Sequence, residues 1–171
     1  MTLEEIIYEL QVNPAGILPD LLIADADTIT NDLFPLGLFN SSTPFNDTGA
    51  DEITLSGSWL PLKLLFNNNS FQENNKETPN GDTFDMVLKG LLPGDSAHIR
   101  NLLDNMKHYR YVLLYRCRDY TINTYRLVGS KEYPLKLTSI FSSGEKAGDM
   151  RGHSMTFSVT APFKSRFYKL T

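Results

Sequence analysis

At 171 residues, with 41% hydrophobic and 11% aromatic side chains, the chain is too short for two full domains but long enough for one domain plus an extension, with a core that needs no staples. A single cysteine, Cys117, excludes an intramolecular disulfide and fits a reducing compartment. The net charge of −4 is accompanied by three glutamates and no basic residue in positions 1–10, the reverse of a secretory leader, and apolar runs such as 21–24 fall far short of the ~20 residues of a membrane span. A cytosolic or particle-bound setting is expected.

Charge is unevenly shared. Residues 1–81 hold two basic and twelve acidic side chains, a local net of −10, whereas residues 82–171 carry +6. Such polarity suits head-to-tail association of like subunits, or pairing within one chain.

Thr2-Leu3-Glu4-Glu5 fits a capping box, and Asn13-Pro14-Ala15-Gly16 ends any helix it starts. Residues 19–51 are rich in Pro, Asn, Asp, Ser and Thr around short apolar pieces at 21–23 and 33–39, without sustained periodicity. This predicts an irregular N-terminal arm over 1–51 that orders mainly on a partner, followed by a β-rich domain over 52–171.

Ile53 and Leu55 alternate with Thr54 and Ser56, and residues 59–66 continue as a strand in which Pro61 marks an edge or bulge. The polar stretch 67–81 reads as a projecting loop ending in the turn Pro79-Asn80-Gly81-Asp82. Phe84, Met86 and Leu88 then share one face of a strand, and 91–94 reads as a loop. A helix is expected over 96–107, capped by Asp95 or Ser96. Ile99, Leu102, Leu103 and Met106 form its apolar face, with Arg100, Asn101, Asp104 and Lys107 outward.

Residues 109–118 form a long strand with Tyr109, Tyr111, Leu113, Tyr115 and Cys117 on one face and Arg110, Val112, Leu114, Arg116 and Arg118 on the other. Its hairpin partner is 125–128. Further strands are expected at 134–141 and 165–170, with a loop over 142–152. The cleanest alternation is 153–161, with Met155, Phe157, Val159 and Ala161 inward. Strands, one helix, then strands, without βαβ alternation, predict a mainly β (α+β) fold: an antiparallel sandwich or barrel with one flanking helix.

The chemistry-bearing residues point away from catalysis. The apolar run ending in Asp25-Ala26-Asp27 resembles the first motif of haloacid-dehalogenase-type phosphotransferases. Those enzymes need a doubly wound sheet, Mg²⁺ and a later lysine, and no strand–helix alternation follows here. Asp20, Asp25, Asp27 and Asp32 lack the glycine-centred loop of a Ca²⁺ site, and His98, His108 and His153 lack metal-ligand spacing. Cys117 sits between Arg116 and Arg118, which point to the opposite strand face, so a structural thiol is expected. Arg110, Arg116, Arg118 and Arg126 beside tyrosines invite a nucleic-acid reading, against which stands the sequence pI of 5.3. Neither an enzyme, a metal nor a cofactor is expected.

From about Phe71 to Tyr168 the chain resembles structural proteins of the tail or neck of tailed bacteriophages and prophages. The likeness is carried by the strand 84–88, the helix to Met106, residues 111–115, Leu127-Val128-Gly129, Tyr133-Pro134-Leu135-Lys136-Leu137, Ser143-Gly144-Glu145 and Met155-Thr156-Phe157. The resemblance implies a virion structural role, assembled in the bacterial host cytoplasm. Its partners would be copies of itself in rings or stacked rings, and neighbouring virion proteins. Nucleic acid would enter only as passing or packaged DNA. The rival expectation is a ligand-binding β-domain that recognises nucleic acid or carbohydrate.

Overall fold

In the computed structural model, residues 17–18, 20–32, 53–65, 69–117, 123–146 and 149–169 are described. The strands are β1 (Asp20–Asp25), β2 (Ile29–Asp32), β3 (Ile53–Leu55), β4 (Leu60–Lys63), β5 (Ser70–Thr78) and β6 (Gly81–Pro93), followed after the helix α1 (Ala97–Met106) by β7 (Tyr111–Tyr115), β8 (Thr124–Val128), β9 (Lys136–Ser142), β10 (Gly152–Ala161) and β11 (Arg166–Lys169). Three antiparallel sheets result, ordered β11-β8-β7-β1-β4, β5-β6-β10-β9 and β2-β3. Among the described residues each has an open strand order, so the closed barrel expected as one alternative does not form.

β10 and β6 build the centre of the four-stranded sheet, as their alternation predicts. Met155, Phe157 and Ala161 are buried from β10, and Phe84, Met86 and Leu88 from β6, with Phe157 opposite Leu88 in register. Gly90 pairs with Met155, and a Cβ at this position would run into Leu64 and Asn69. On the other side, β7 is buried on both faces. Tyr111, Leu113 and Tyr115 join the cluster that includes Met86, Leu88, Leu137, Met155 and Phe157, so the two larger sheets share one apolar interior. Val112 and Leu114 face a second cluster with Leu127, Tyr168, Ile29 and Ile53, where the β2–β3 pair covers the far face of the five-stranded sheet.

The N-terminal region departs from the expected arm. Residues 20–25 form β1, which lies between β7 and β4, with Leu21 and Ile23 in the shared core and Ala24 in the second cluster. A strand buried on both faces shows a continuous apolar run rather than alternation, which in sequence looks like an isolated apolar piece. The boundary at residue 51 therefore does not separate arm from domain at residues 20–32. Residues 1–16 and 33–52 lie outside those described.

Two stretches read as loops are strands. β5, within the expected loop 67–81, pairs along its whole length with β6 across the turn Pro79-Asn80. Its polar composition reflects an edge position: backbone bonds to β6 hold it, while Phe71 alone packs on the core. Residues 91–93 continue β6 and pair with residues 152–154. Pro61 falls on the edge strand β4, as expected.

Ser96 caps α1, its Oγ accepting the Ile99 N–H at 3.2 Å. Leu103 and Met106 are buried and Ile99 packs against them, but Leu102 is 43% exposed. This three-turn helix contacts the sheets through a narrow stripe, and Leu102 lies on its flank. Beyond the C-terminus of α1, Tyr111 donates its hydroxyl to the Met106 carbonyl at 2.9 Å.

Candidate functional site

The acidic set is not brought together. Asp25 closes β1 and caps the short 3-10 turn that follows, its Oδ1 accepting the Asp27 N–H at 3.1 Å while its carbonyl accepts the Thr28 hydroxyl at 2.7 Å. Asp20 stands at the opposite end of β1, about 17 Å away at ~3.3 Å per residue, and Asp32 ends β2. The Asp25 carboxylate serves the turn, and Asp20 and Asp32 take strand-end positions. Among the described residues no cluster of three His, Cys, Asp or Glu side chains is placed to hold a metal.

The arginine row is split by the sheet. The Arg116 guanidinium stands 5.9 Å from the Tyr125 ring, which packs on the second cluster with Trp59. Arg126, one residue from Tyr125 on a strand, faces the other way: it stacks 4.6 Å from Phe167 and donates Nε–H to the Ser165 hydroxyl at 3.3 Å. Arg110 is exposed, and Arg118 lies outside the described residues. Cys117 is half-buried, packs against the main core and forms a β-bridge with Ile17.

One polar cluster escaped the sequence reading. Asp95 accepts a bidentate pair from Arg100, at 2.6 Å from Nε and 2.8 Å from Nη2, and a third bond from Arg151 at 2.9 Å. Those bonds, Arg100 first and Arg151 second, hold its carboxyl well below the usual carboxylate range. Buried His153 brings Nε2 to 3.5 Å from the same carboxylate. Phe141 lies beside the imidazole at 5.1 Å between ring centres and under both guanidiniums. A groove of about 190 Å³ opens between α1 and β9–β10, lined by Arg100, Leu103, Lys107, Ser139, Phe141 and His153. The cluster fastens α1 to the β9–β10 hairpin. Ser96, rather than Asp95, caps the helix, and the partner Arg151 is 56 residues away in sequence, so no local pattern announces the contact.

Among the described residues, the ends of the four-stranded sheet lack a neighbouring strand. The four-stranded sheet ends in β5 on one side and β9 on the other. Seven-residue β9 contains no proline and a single charge, Lys136; its Ile140 is 73% exposed and its Phe141 39%. The outward face beside it carries Thr138, Ile140, Ser154 and Thr160, all exposed. By contrast β4 contains Pro61, which cannot donate to an added strand, and β11 has only four residues. This arrangement can pair strands with another chain.

Comparison with protein-family models, with curated proteins and with solved structures finds no match for the chain.

Proposed function

We propose that the chain is a structural protein of a tailed-phage virion, a tail-tube or head–tail neck component that acts by ring-forming self-assembly. In this proposal its two larger sheets are the layers of a β-sandwich. The carrying observation is that one sheet ends in two long antiparallel edge strands, β5 and β9. An open edge presents unpaired N–H and C=O groups, a template for another strand. When two different edges of one subunit meet head to tail, the association is heterologous, and it closes into a ring if the rotation allows. The charge split, −10 over residues 1–81 and +6 over the rest, supports the same head-to-tail contact. The protein would work without a catalytic step or cofactor, assembled in the host cytoplasm and resident in the virion beside other virion proteins.

The aromatic–arginine group Trp59, Tyr125 and Arg116 favours a second reading, a binding β-domain for nucleic acid or carbohydrate, since such pairs stack on bases and sugars. Negative-stain images of concentrated protein separate the two. Rings or stacked rings are expected, whereas dispersed single particles that retain single-stranded DNA or glycan on a column would favour the binding domain.

A further inference from the structure

The groove between α1 and β9–β10 has a volume of about 190 Å³, room for about six waters at ~30 Å³ each. Leu103 of α1 and Phe141 of β9 give it apolar walls, while Arg100, Lys107, the Ser139 hydroxyl and the His153 imidazole supply polar ones. Two cations thus stand against the one carboxylate that lines it, Asp104. The cations keep donors to spare. Arg100 gives two N–H groups to Asp95 of the five that a guanidinium carries. Lys107 gives one of its three to Asp104, through a pair whose side chains are 48% and 70% exposed. His153 is the least satisfied group. It is 6% exposed, and its buried Nε2 stands 3.5 Å from Asp95 Oδ1 without a hydrogen-bond partner, since Asp95 already accepts three shorter bonds. A buried polar group left in this way is costly and marks a place where a further group binds.

We propose that this groove is a binding site for a small monocarboxylate with an apolar or aromatic body. The body lies against Leu103 and Phe141, and the carboxylate accepts from Lys107 and the Ser139 hydroxyl beside the imidazole. Charge selects the class. One negative charge balances the surplus of Arg100 and Lys107 over Asp104, whereas a phosphate dianion would meet the Asp104 carboxylate on the same wall. Size selects it as well, because six waters' worth of space holds one short or single-ring acid and no longer chain. The site goes beyond the assembly reading and does not depend on it: it uses side chains of α1, β9 and β10, and none of the backbone groups at the β9 edge.

The test adds sodium benzoate to the full chain at matched ionic strength and follows amide and ring NMR signals, with benzamide, its uncharged isostere, and inorganic phosphate as comparisons. Benzoate at millimolar concentration should shift the signals of Ser139, Phe141 and His153 until they saturate. Benzamide should leave them in place, and phosphate should bind more weakly. Lys107→Met keeps the stem and removes the charge at a half-exposed position, so the variant should melt as the wild type does. It should bind benzoate about tenfold more weakly, the loss of one charge-assisted hydrogen bond. The proposal is overturned if benzoate leaves the groove signals unmoved, if benzamide or phosphate binds as tightly, or if Lys107→Met keeps the affinity of the wild type.

Discussion

Glu73 and Ser165 tie the two larger sheets together at one side. Glu73 Oε2 on β5 accepts the Ser165 backbone N–H at 2.7 Å and its hydroxyl at 2.6 Å, immediately before β11. β5 is the outermost strand of one sheet and β11 of the other, so this carboxylate bridges two edge strands, beside the packing of Phe71 on Tyr115. Arg126 extends the link by donating to the same hydroxyl.

Glu73→Ala should therefore destabilise the fold by ~1–3 kcal/mol, the range for removing a charged acceptor from partly buried donors. Ser165→Ala removes the hydroxyl bond and keeps the backbone one, so it should cost less than Glu73→Ala, and the double variant should cost less than the sum, because both delete the hydroxyl–carboxylate contact. Urea denaturation of the four proteins measures this. Strict additivity would show that the bridge carries no coupling.

Phe157 is fully buried and meets Tyr111 edge to face with ring centres 5.8 Å apart. Phe157→Ala should cost ~3–5 kcal/mol through lost burial and the cavity left behind. A melting temperature equal to that of a surface variant such as Asp104→Ala would contradict the shared core.

Asp95 predicts an acid-dependent term. Its carboxyl is depressed below its ordinary 3.8 by Arg100 and Arg151. A lowered folded-state value means the stabilisation is fully present above the unfolded value and is lost as pH falls through the folded one. Stability should hold from neutrality down to about pH 4 as far as Asp95 is concerned, then decline. Asp95→Asn should be less stable at neutral pH and should lose less on further acidification. Parallel acid titrations of the two proteins would refute the assignment.

Deletion of residues 1–51 should leave no folded core, because it removes β1 from between β7 and β4 and uncovers Leu113 and Leu114, both fully buried. Loss of a cooperative thermal transition is the expected result. A truncated chain that melts cooperatively near the full-length temperature would show that β1 is dispensable.

How much of this was legible follows from local pattern. β10, β6 and α1 were readable because Met155 and Phe157, Phe84 to Leu88, and Leu103 with Met106 repeat at the period of their own element. β1 was missed because Leu21 to Ala24 face apolar neighbours on both sides and do not alternate. β5 was missed because an edge strand needs only backbone partners, and Gln72, Glu73, Asn74 and Asn75 look like loop residues. The Asp95 cluster joins positions 95, 100, 141, 151 and 153 across three elements, and only the folded chain makes them neighbours.

The most direct test of self-assembly through the open sheet compares light scattering of the wild type with Ile140→Lys, at high protein concentration. Ile140 is 73% exposed on β9, so the change should alter stability by no more than about 0.5 kcal/mol, while a lysine on an edge opposes strand addition. The wild type should scatter as rings or larger assemblies and the variant as folded monomers. A wild type that stays monomeric at every concentration and salt, or a variant that assembles as the wild type does, would contradict assembly through the β9 edge.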